Sequence, residues 1–231
     1  MLQPADLFNL AETEHAEIFE GCEFGWEALK RIKGYLEHHL QPGTHHRCLG
    51  RCFIDGPVCI GEGTVIEDGA MIKGPVIIGR DCQIRHNAYI RSDVIIGDRC
   101  VIGNSCELKH SLLFNDCQVP HFNYVGDSIL GHHAHLGAGV KISNVKLVPG
   151  TVTVEWEGKL FDTGLRKFGA LLGDNTDIGC NAVLNPGSII GRNSVIYANT
   201  AWRGVLPANQ LAKNKAPIEV IPRRETLLRK A

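Results

Sequence analysis

The residues best suited to chemistry stand close together in the stretch "VPHFNYVGDSILG" (119–131). His121 predicts a general base, because an imidazole titrates near neutral pH. Tyr124 and Asp127 add polar groups nearby, and Glu107 is a candidate to orient the imidazole. Just downstream, "HLGAG" (135–139) offers backbone N–H groups that could stabilise an oxyanion. Taken alone, a histidine in a repeat protein is more often a surface or packing residue than a catalytic one, and that alternative stays open.

Three basic residues precede this stretch at a constant spacing. Lys73, Arg91 and Lys109 follow one another every 18 residues. If residues 18 apart stack on neighbouring coils, the three cations lie about 4.8 Å apart in a column. Such a column is either a solvated surface ladder or an anion site, and Arg with Lys suits a phosphate. Arg91 and Lys109 lie nearest the 119–131 stretch, so they are the predicted phosphate ligands.

A period of six residues must position these side chains. An aliphatic or aromatic residue, called position i, recurs every six residues in three runs, and position i+4 is small or β-branched. The three runs of position i are Ile54, Ile60, Ile66, Ile72, Ile78, Ile84, Ile90, Ile96, Ile102, Leu108, Phe114; Leu130, Leu136, Ile142; and Leu172, Ile178, Leu184, Ile190, Ile196, Trp202.

This period predicts a parallel β-solenoid with three short sides per coil. Position i fills the interior, and i+4 must be small because it also points inward near a corner. Cys82, Cys100 and Cys106 are therefore predicted to be packing residues. From Phe114 to Leu130 the spacing is 16 residues. Since 16 is not a multiple of six, a reshaped turn is expected there, and irregular segments on rigid scaffolds often carry sites.

Three parts of the chain are predicted: an N-terminal helical segment with a linker (1–45), the solenoid (46–205) and a tail (206–231). Two short helices are expected within 4–40, and "QPGTHHRCLG" (41–50) is expected to be a linker. "TVTVEW" and "EGK" predict a hairpin in a loop inserted at 145–168. The second helix carries an apolar stripe, and the tail carries six cations that are either solvated or in contact with the phosphates of a ligand. The stripe is Trp26, Leu29, Ile32, Leu36 and Leu40, and the cations are Lys213, Lys215, Arg223, Arg224, Arg229 and Lys230.

The composition is that of an ordinary globular protein, with 44% apolar residues, 21% charged residues and a net charge of −1. This balance favours neither nucleic acid nor an anionic membrane as a partner. No apolar run approaches about 20 residues, and the N-terminus lacks the pattern of a signal peptide. The cytoplasm is therefore the expected location. The 9 cysteines show no CxxC spacing, which argues against a disulfide framework or a zinc knuckle.

The repeats resemble those of the hexapeptide-repeat acyltransferases, which are left-handed parallel β-helices assembled as trimers. The stretch "CELKHSLLFNDCQVPHFNYVGDSILGHHAHLGAG" (106–139) is similar to the acetyltransferase region of the bifunctional N-acetylglucosamine-1-phosphate uridylyltransferase/glucosamine-1-phosphate acetyltransferases. "DTGLRKFGALLGDN" (162–175) is similar to a stretch in archaeal sugar-1-phosphate nucleotidylyltransferases. The likeness covers about residues 50–205. It implies an acetyl-CoA-dependent N-acetyltransferase that acts on an amino-sugar 1-phosphate, glucosamine 1-phosphate above all, forms a homotrimer and needs no metal for acetyl transfer.

The resemblance also implies roles for individual residues. His121 matches the catalytic base and Glu107 the residue that supports it. The family has Asn in contact with the substrate where this chain has His135, and often Ser near the thioester where it has Cys180. The remaining matches are Arg91, Lys109, Tyr124 and Lys167 for the sugar phosphate, Asn144 for a contact from a neighbouring subunit, and Ala138, Gly139 and Ala198 for acetyl-CoA.

Three alternatives remain open. The chain lacks the Gly-rich pattern of a nucleotidyltransferase half, so it could be a non-catalytic or regulatory partner of a separate nucleotidyltransferase, joined through its N-terminal helices. A γ-type carbonic anhydrase would use zinc held by histidines, for which His132, His133 and His135 are candidates, but no HxxxxH pair is present. Within the acyltransferase reading, Cys180 is a rival covalent acyl carrier.

Overall fold

The computed structural model describes residues 2–44, 47–214 and 221. These residues form a left-handed parallel β-helix, whose coils have three sides that we name faces A, B and C. Short strands on each face pair in parallel with the coils before and after them. The predicted fold class is confirmed.

The strands fall on the three faces in chain order, and two longer strands, Glu107–Leu113 and Tyr124–Leu130, run across faces A and B. Face A holds Phe53–Asp55, Met71–Lys73, Tyr89–Ile90, Lys141–Ile142, Val183–Leu184 and Ala201–Trp202. Face B holds Gly43–Thr44, Val58–Ile60, Val76–Ile78, Val94–Ile96, Ala170–Leu172, Ser188–Ile190 and Val205–Leu206. Face C holds Arg47–Leu49, Val65–Glu67, Gln83–Ile84, Val101–Asn104, Gln118–His121, His135–Leu136, Asp177–Ile178, Val195–Ile196 and Leu211–Ala212.

The period of six corresponds to one face. Position i of each coil stacks on position i of the next, as Ile72 on Ile90 and Ile90 on Leu108. The small i+4 residues are buried as well, and Cys82, Cys100 and Cys106 are at most 1% exposed. The packing role predicted for these three cysteines is therefore confirmed.

The position predicted for Phe114 is wrong by one residue. Leu113 pairs with Leu130 and fills the solenoid interior, whereas Phe114 lies outside it, against the N-terminal segment. The interior residues Leu108 and Leu113 are five positions apart rather than six, and Val125 and Leu130 repeat this spacing. The repeat is thus broken twice, at the corner between faces A and B, which we name corner AB.

Corner AB turns through residues with left-handed backbone. His110 (φ 45°) and Asp127 (φ 48°) occupy this conformation in the two shortened coils, and Asp93 (φ 63°) occupies it one coil earlier. The corner between faces C and A, which we name corner CA, uses Phe122 (φ 52°) and Gly139 (φ 73°) in the same way. Histidine and aspartate are among the non-glycine residues that adopt this conformation most often, which suits them to these corners.

The N-terminal segment covers the outside of face B. The two predicted helices are wrong in detail: α-helix is limited to Pro4–Leu7 and Ile32–His39, and 3₁₀ turns form Leu10–Glu12, Ala16–Phe19 and Gly25–Arg31. Four residues of the predicted stripe are buried, and Leu40 is half-buried; the four are Trp26, Leu29, Ile32 and Leu36. They share a second core with outward-facing residues of face B, among them Ile95, Leu112, Ile129 and Phe114.

The segment 41–50, predicted to be a linker, already contains the strands Gly43–Thr44 and Arg47–Leu49 of the first coil. The inserted hairpin is confirmed, since Thr153–Trp156 pairs antiparallel with Lys159–Asp162. Cys48 and Cys52 form one local disulfide and the other seven cysteines are free, so there is no disulfide framework. Within the described part of the chain, no helix is long and apolar enough to span a membrane.

Candidate active site

Corner CA aligns the predicted base with the predicted acetyl-CoA residues. His121, Ala138, Cys180 and Ala198 each stand two positions after the interior residue of face C. The N–H of Gly139 donates to the carbonyl of His121 (2.9 Å), and the next two coils repeat this bond, to Ala138 and Cys180, at 2.9 Å each. The four residues therefore form a single row along the solenoid, which we name the CA row.

Two residues of the CA row, Cys180 and Ala198, line a shallow groove with largely apolar walls. Its lining includes Gly137, Cys180 and Ala198, and Cys180 is exposed. His135 lines the same groove, and its Nδ1 lies 3.1 Å from Oδ1 of Asp177. His135 is thus placed beside the predicted acetyl-CoA residues and not with the predicted phosphate ligands.

Two of the backbone N–H groups in the stretch predicted to stabilise an oxyanion, those of Gly137 and Gly139, are already used by the solenoid. The N–H of Gly137 donates to Ile178 (2.6 Å), and that of Gly139 donates to His121 (2.9 Å). The backbone ladder therefore takes both of these protons. Ala138 lies between them, and its N–H has no acceptor among the residues that the structure describes. It is the donor of this turn that remains available.

Glycines beside the CA row keep the backbone of the next coil uncovered. A Cβ added to Gly137 would lie 2.6 Å from the nitrogen of Cys180, and one added to Gly179 would lie 2.4 Å from that of Ala198. A side chain at either position would collide with these N–H groups. Glycine in this part of the repeat therefore allows close packing and leaves polar backbone facing the groove.

His121 is held through its backbone by a buried asparagine that the sequence analysis missed. Asn123 is 2% exposed, accepts the N–H of His121 at Oδ1 (3.0 Å) and donates from Nδ2 to the carbonyl of Gly137 (2.7 Å). One side chain thus ties the predicted base to the wall of the groove. The signal was available, since Asn123 occupies an inward i+4 position that other coils give to small residues.

The predicted cation column stands on face A. The strand register places Lys73, Arg91 and Lys109 on successive coils, as their spacing predicts. Nη1 of Arg91 lies 2.8 Å from Oε1 of Glu107, and this bond raises the pKa of the guanidinium. No hydrogen bond joins Glu107 to His121 within the described ranges, so the role of Glu107 in supporting the base stays a prediction.

Asp127 lies at the centre of a polar cluster next to the cation column, with Lys109, His110 and Asn144 around it. The residue is 4% exposed, and its carboxylate lies 2.8 Å from Nδ1 of His110 and 3.5 Å from Nζ of Lys109. The carboxylate also accepts a hydrogen bond from Nδ2 of Asn144. Burial alone would raise the pKa of Asp127. The hydrogen bonds from His110 and Asn144 and the charge of Lys109 outweigh that effect, so its pKa is lowered and it stays ionised.

Tyr124 leans over the glycine that precedes Asp127. A Cβ on Gly126 would lie 2.7 Å from the hydroxyl of Tyr124 and 2.8 Å from Nδ2 of Asn144, so this glycine makes room for both. Burial, with the nearby charges of Glu107 and Asp127, raises the pKa of Tyr124 and keeps its hydroxyl protonated. Lys167 joins the cluster through its backbone, which bridges to Val145, next to Asn144.

Histidines also meet at the corner between faces B and C. Asp116, His132 and His133 bring one potential ligand atom each within 4.8 Å of one another. Arg99 already binds both carboxylate oxygens of Asp116, at 2.8 and 2.6 Å, which places a competing cation there. His135, the third histidine of the carbonic anhydrase alternative, lies instead in the groove beside Asp177.

Comparisons with known proteins agree with this fold. A family described as the GMPPB C-terminal domain matches residues 72–161, and the hexapeptide repeat of succinyl-transferase matches residues 170–201. The bifunctional protein GlmU of Methanococcus maripaludis (strain DSM 14266) is 43% identical over 146 residues, which cover 63% of this chain and 35% of that protein. GlmU of Methanococcus aeolicus is 35% identical over 172 residues, 74% of this chain and 42% of that protein.

Among solved structures, a putative acetyltransferase from Bacillus cereus matches with 18% identity and a TM-score of 0.37, covering 74% of this chain and 80% of that one. The chain spans less than half the length of the curated relatives that it matches. The first family match runs from face A of the early coils into the inserted hairpin, and the second covers coils that follow the hairpin. The chain thus carries hexapeptide repeats and is similar over its coils to the bifunctional GlmU proteins.

Proposed function

We propose that the protein transfers the acetyl group of acetyl-CoA to the amine of an amino-sugar 1-phosphate, with glucosamine 1-phosphate as the first candidate. The observation that carries this proposal is the CA row. It aligns His121 with Ala138, Cys180 and Ala198 beside an apolar groove, while a cluster of cations stands on the adjoining face A. The similarity to the GlmU proteins supports the same chemistry.

The phosphate would bind to Arg91, Lys109, Tyr124 and Lys167. Arg91 and Lys109 each have a carboxylate partner, Glu107 and Asp127, which balances their charge in the absence of an anion. Holding the sugar and the thioester together supplies much of the rate acceleration, because it replaces a bimolecular encounter. Asn144 would reach the sugar of a neighbouring subunit in a homotrimer.

In the transfer step, the sugar amine attacks the thioester carbonyl while His121 accepts a proton from the nitrogen. The N–H of Ala138 stabilises the oxyanion that forms. The C–N bond is made, the C–S bond then breaks, and CoA leaves as a thiolate that takes up a proton. The products are the N-acetylated sugar 1-phosphate and free CoA, and the step needs no metal.

A thiol-release assay tests the proposal. Purified protein with acetyl-CoA is supplied with glucosamine 1-phosphate, galactosamine 1-phosphate or no sugar, and free CoA is measured with DTNB. We expect sugar-dependent release that falls by about 10²- to 10⁴-fold in His121→Ala, the usual contribution of a general base. Release with neither sugar, or full activity in His121→Ala, would refute the proposal.

His86 provides a matched control for this substitution. It occupies the same position of corner CA two coils earlier and is exposed, and its imidazole contacts Asp68 and Asn87 rather than the groove. His86→Ala should therefore leave the rate unchanged. Cys180→Ser separates direct transfer from a covalent acyl-cysteine, because a serine variant that keeps its activity excludes the acyl carrier.

A further inference from the structure

We propose that Asp127 is a positioning residue that organises the phosphate-binding cluster from beneath. This inference rests on the proposed function and deepens it. Asp127 was not among the predicted binding residues. Its buried carboxylate nevertheless contacts two residues that were, Lys109 and Asn144, and it also contacts His110.

The side-chain contacts give Asp127 three donors, which come from the two coils that flank its own. His110 lies directly above it in the ladder, because the neighbouring pairs Lys109–Gly126 and Ser111–Ser128 are in register. Asn144 comes from the next coil, and Nζ of Lys109 reaches the same oxygen as Asn144, Oδ2. A carboxylate that is 4% exposed is stable as an anion only with such partners. The three donors are therefore held in fixed positions.

The backbone of Asp127 fixes the inserted loop as well. Its carbonyl accepts the N–H of Gly169 (2.8 Å), and the N–H of Phe168 donates to the carbonyl of Asn144 (2.9 Å). The loop thus leaves the solenoid at Asn144 and returns at Gly169, and Asp127 binds both of these residues. Lys167, two positions before Gly169, is placed by the same bonds.

The shortened corner separates Asp127 from its counterpart in an ordinary coil. Asp93 is also an aspartate with left-handed backbone at corner AB, but it is half-buried and its carboxylate accepts only a 3.4 Å bond from Ser92 among the described residues. Asp93 and Asp127 therefore share residue type and backbone conformation and differ in their contacts. Asp93 is the natural control.

Two roles for a carboxylate in an anion site make opposite predictions. A mere counterion repels the incoming phosphate, so removing its charge tightens phosphate binding. A positioning residue holds the cations and the amide in place, so removing it weakens binding. The sign of the change in affinity decides between the two roles.

The experiment compares Asp127→Asn, Asp127→Gly and Asp93→Asn with the wild type. Asparagine and glycine both tolerate left-handed backbone, so the corner is not strained in any variant. Binding of inorganic phosphate and of glucosamine 1-phosphate is measured by calorimetry, and KM and kcat by CoA release. We expect Asp127→Asn to weaken both ligands and raise KM for the sugar phosphate by about 10- to 100-fold, the loss expected when one hydrogen bond to a charged group is removed.

Asp127→Gly should weaken binding further, because it removes the acceptor oxygen that asparagine keeps, and kcat should change less than KM in both variants. Asp93→Asn should match the wild type. Tighter or unchanged phosphate binding in Asp127→Asn, an equal effect in Asp93→Asn, or no phosphate binding by the wild type would each overturn the inference. Because calorimetry needs no turnover, a protein that binds phosphate but transfers no acetyl group would refute the proposed function alone.

Discussion

Asn123 gives the sharpest test of how the fold holds the predicted base. Asn123→Ala removes two hydrogen bonds to the backbone and one from the thiol of Cys106 (3.4 Å). It leaves the N–H of His121 without an acceptor, while the carbonyl of Gly137 keeps only the long bond from the N–H of Val140 (3.4 Å). Each bond contributes about 0.5–1.5 kcal/mol, and a buried polar group left unpaired costs about 1–3 kcal/mol. We therefore expect a loss of about 2–5 kcal/mol in the free energy of unfolding.

The effect on catalysis should exceed what lost stability explains. Without Asn123 the turn that carries His121 is free to shift against the groove, and a displacement of about 1 Å costs on the order of 10²-fold in rate. The assay measures kcat by CoA release at a temperature where every variant is folded, beside urea unfolding of the same samples. His121→Ala should lose activity without losing stability, whereas Asn123→Ala should lose both.

Cys100→Ala is the matched control. Cys100 is another fully buried i+4 residue, but it lies at the corner between faces B and C, where its thiol contacts the carbonyl of Phe114 (3.1 Å). Its truncation should lower stability and leave kcat unchanged. If Asn123→Ala keeps kcat within about threefold of the wild type while its stability falls, the side chain only packs the core, and the link to His121 is refuted.

Three further predictions concern the N-terminal segment and the cation column. Phe114 is fully buried, and its ring centroid lies 5.2 Å from that of Phe8. Phe114→Ala should therefore weaken docking of the N-terminal segment by about 3–5 kcal/mol, which hydrogen exchange measures. A double-mutant cycle with Phe8→Ala that shows no coupling would contradict this contact. Burial lowers the pKa of His15, so the folded state binds the proton of this imidazole less tightly than the unfolded chain does. The contribution of neutral His15 to stability is therefore present above about pH 6.5 and is lost as the pH falls below that value. We expect the fall in Tm between pH 7.5 and 5 to be smaller in His15→Gln than in the wild type. The side chains of Arg91 and Glu107 are both more than a third exposed, so Glu107→Gln should change the free energy of unfolding by at most about 1 kcal/mol. In the same variant, a fall in kcat with a small change in KM would place Glu107 at the base, whereas a rise in KM with a small change in kcat would place it at the phosphate.

The six-residue period of the sequence was enough to predict most of the fold and part of the candidate site. A residue every six positions fixes which side chains fill the interior and which stack on the same face. Hence the column of Lys73, Arg91 and Lys109 could be predicted from spacing alone. Burial of the small i+4 residues followed from the same rule. The alignment of His121 with Cys180 is a consequence of equal position within the hexad, which the sequence also contains.

The two shortened corners could not be read in the same way. Leu112, Leu113 and Phe114 are all apolar and all fully buried, so hydrophobicity does not reveal which one enters the solenoid. The answer depends on a second core, because Leu112 and Phe114 pack under the N-terminal segment. A sequence pattern that assumes one core assigns such residues to the wrong one. For the same reason, the sequence did not predict the left-handed turn at His110.

The irregular features of the solenoid coincide at one corner, which explains how a repetitive fold acquires a specific site. Both shortened turns, at His110 and Asp127, and the inserted loop that starts after Ile142 lie at corner AB on consecutive coils. Regular coils would place only a ladder of like charges there. Shortening the turn places Asp127 in a buried position, and the insertion brings Asn144 and the backbone of Lys167 next to it. The regular coils thus align the groove and the predicted base at corner CA, while departures from the repeat at corner AB build the polar cluster to which we assign the sugar phosphate in the proposed function.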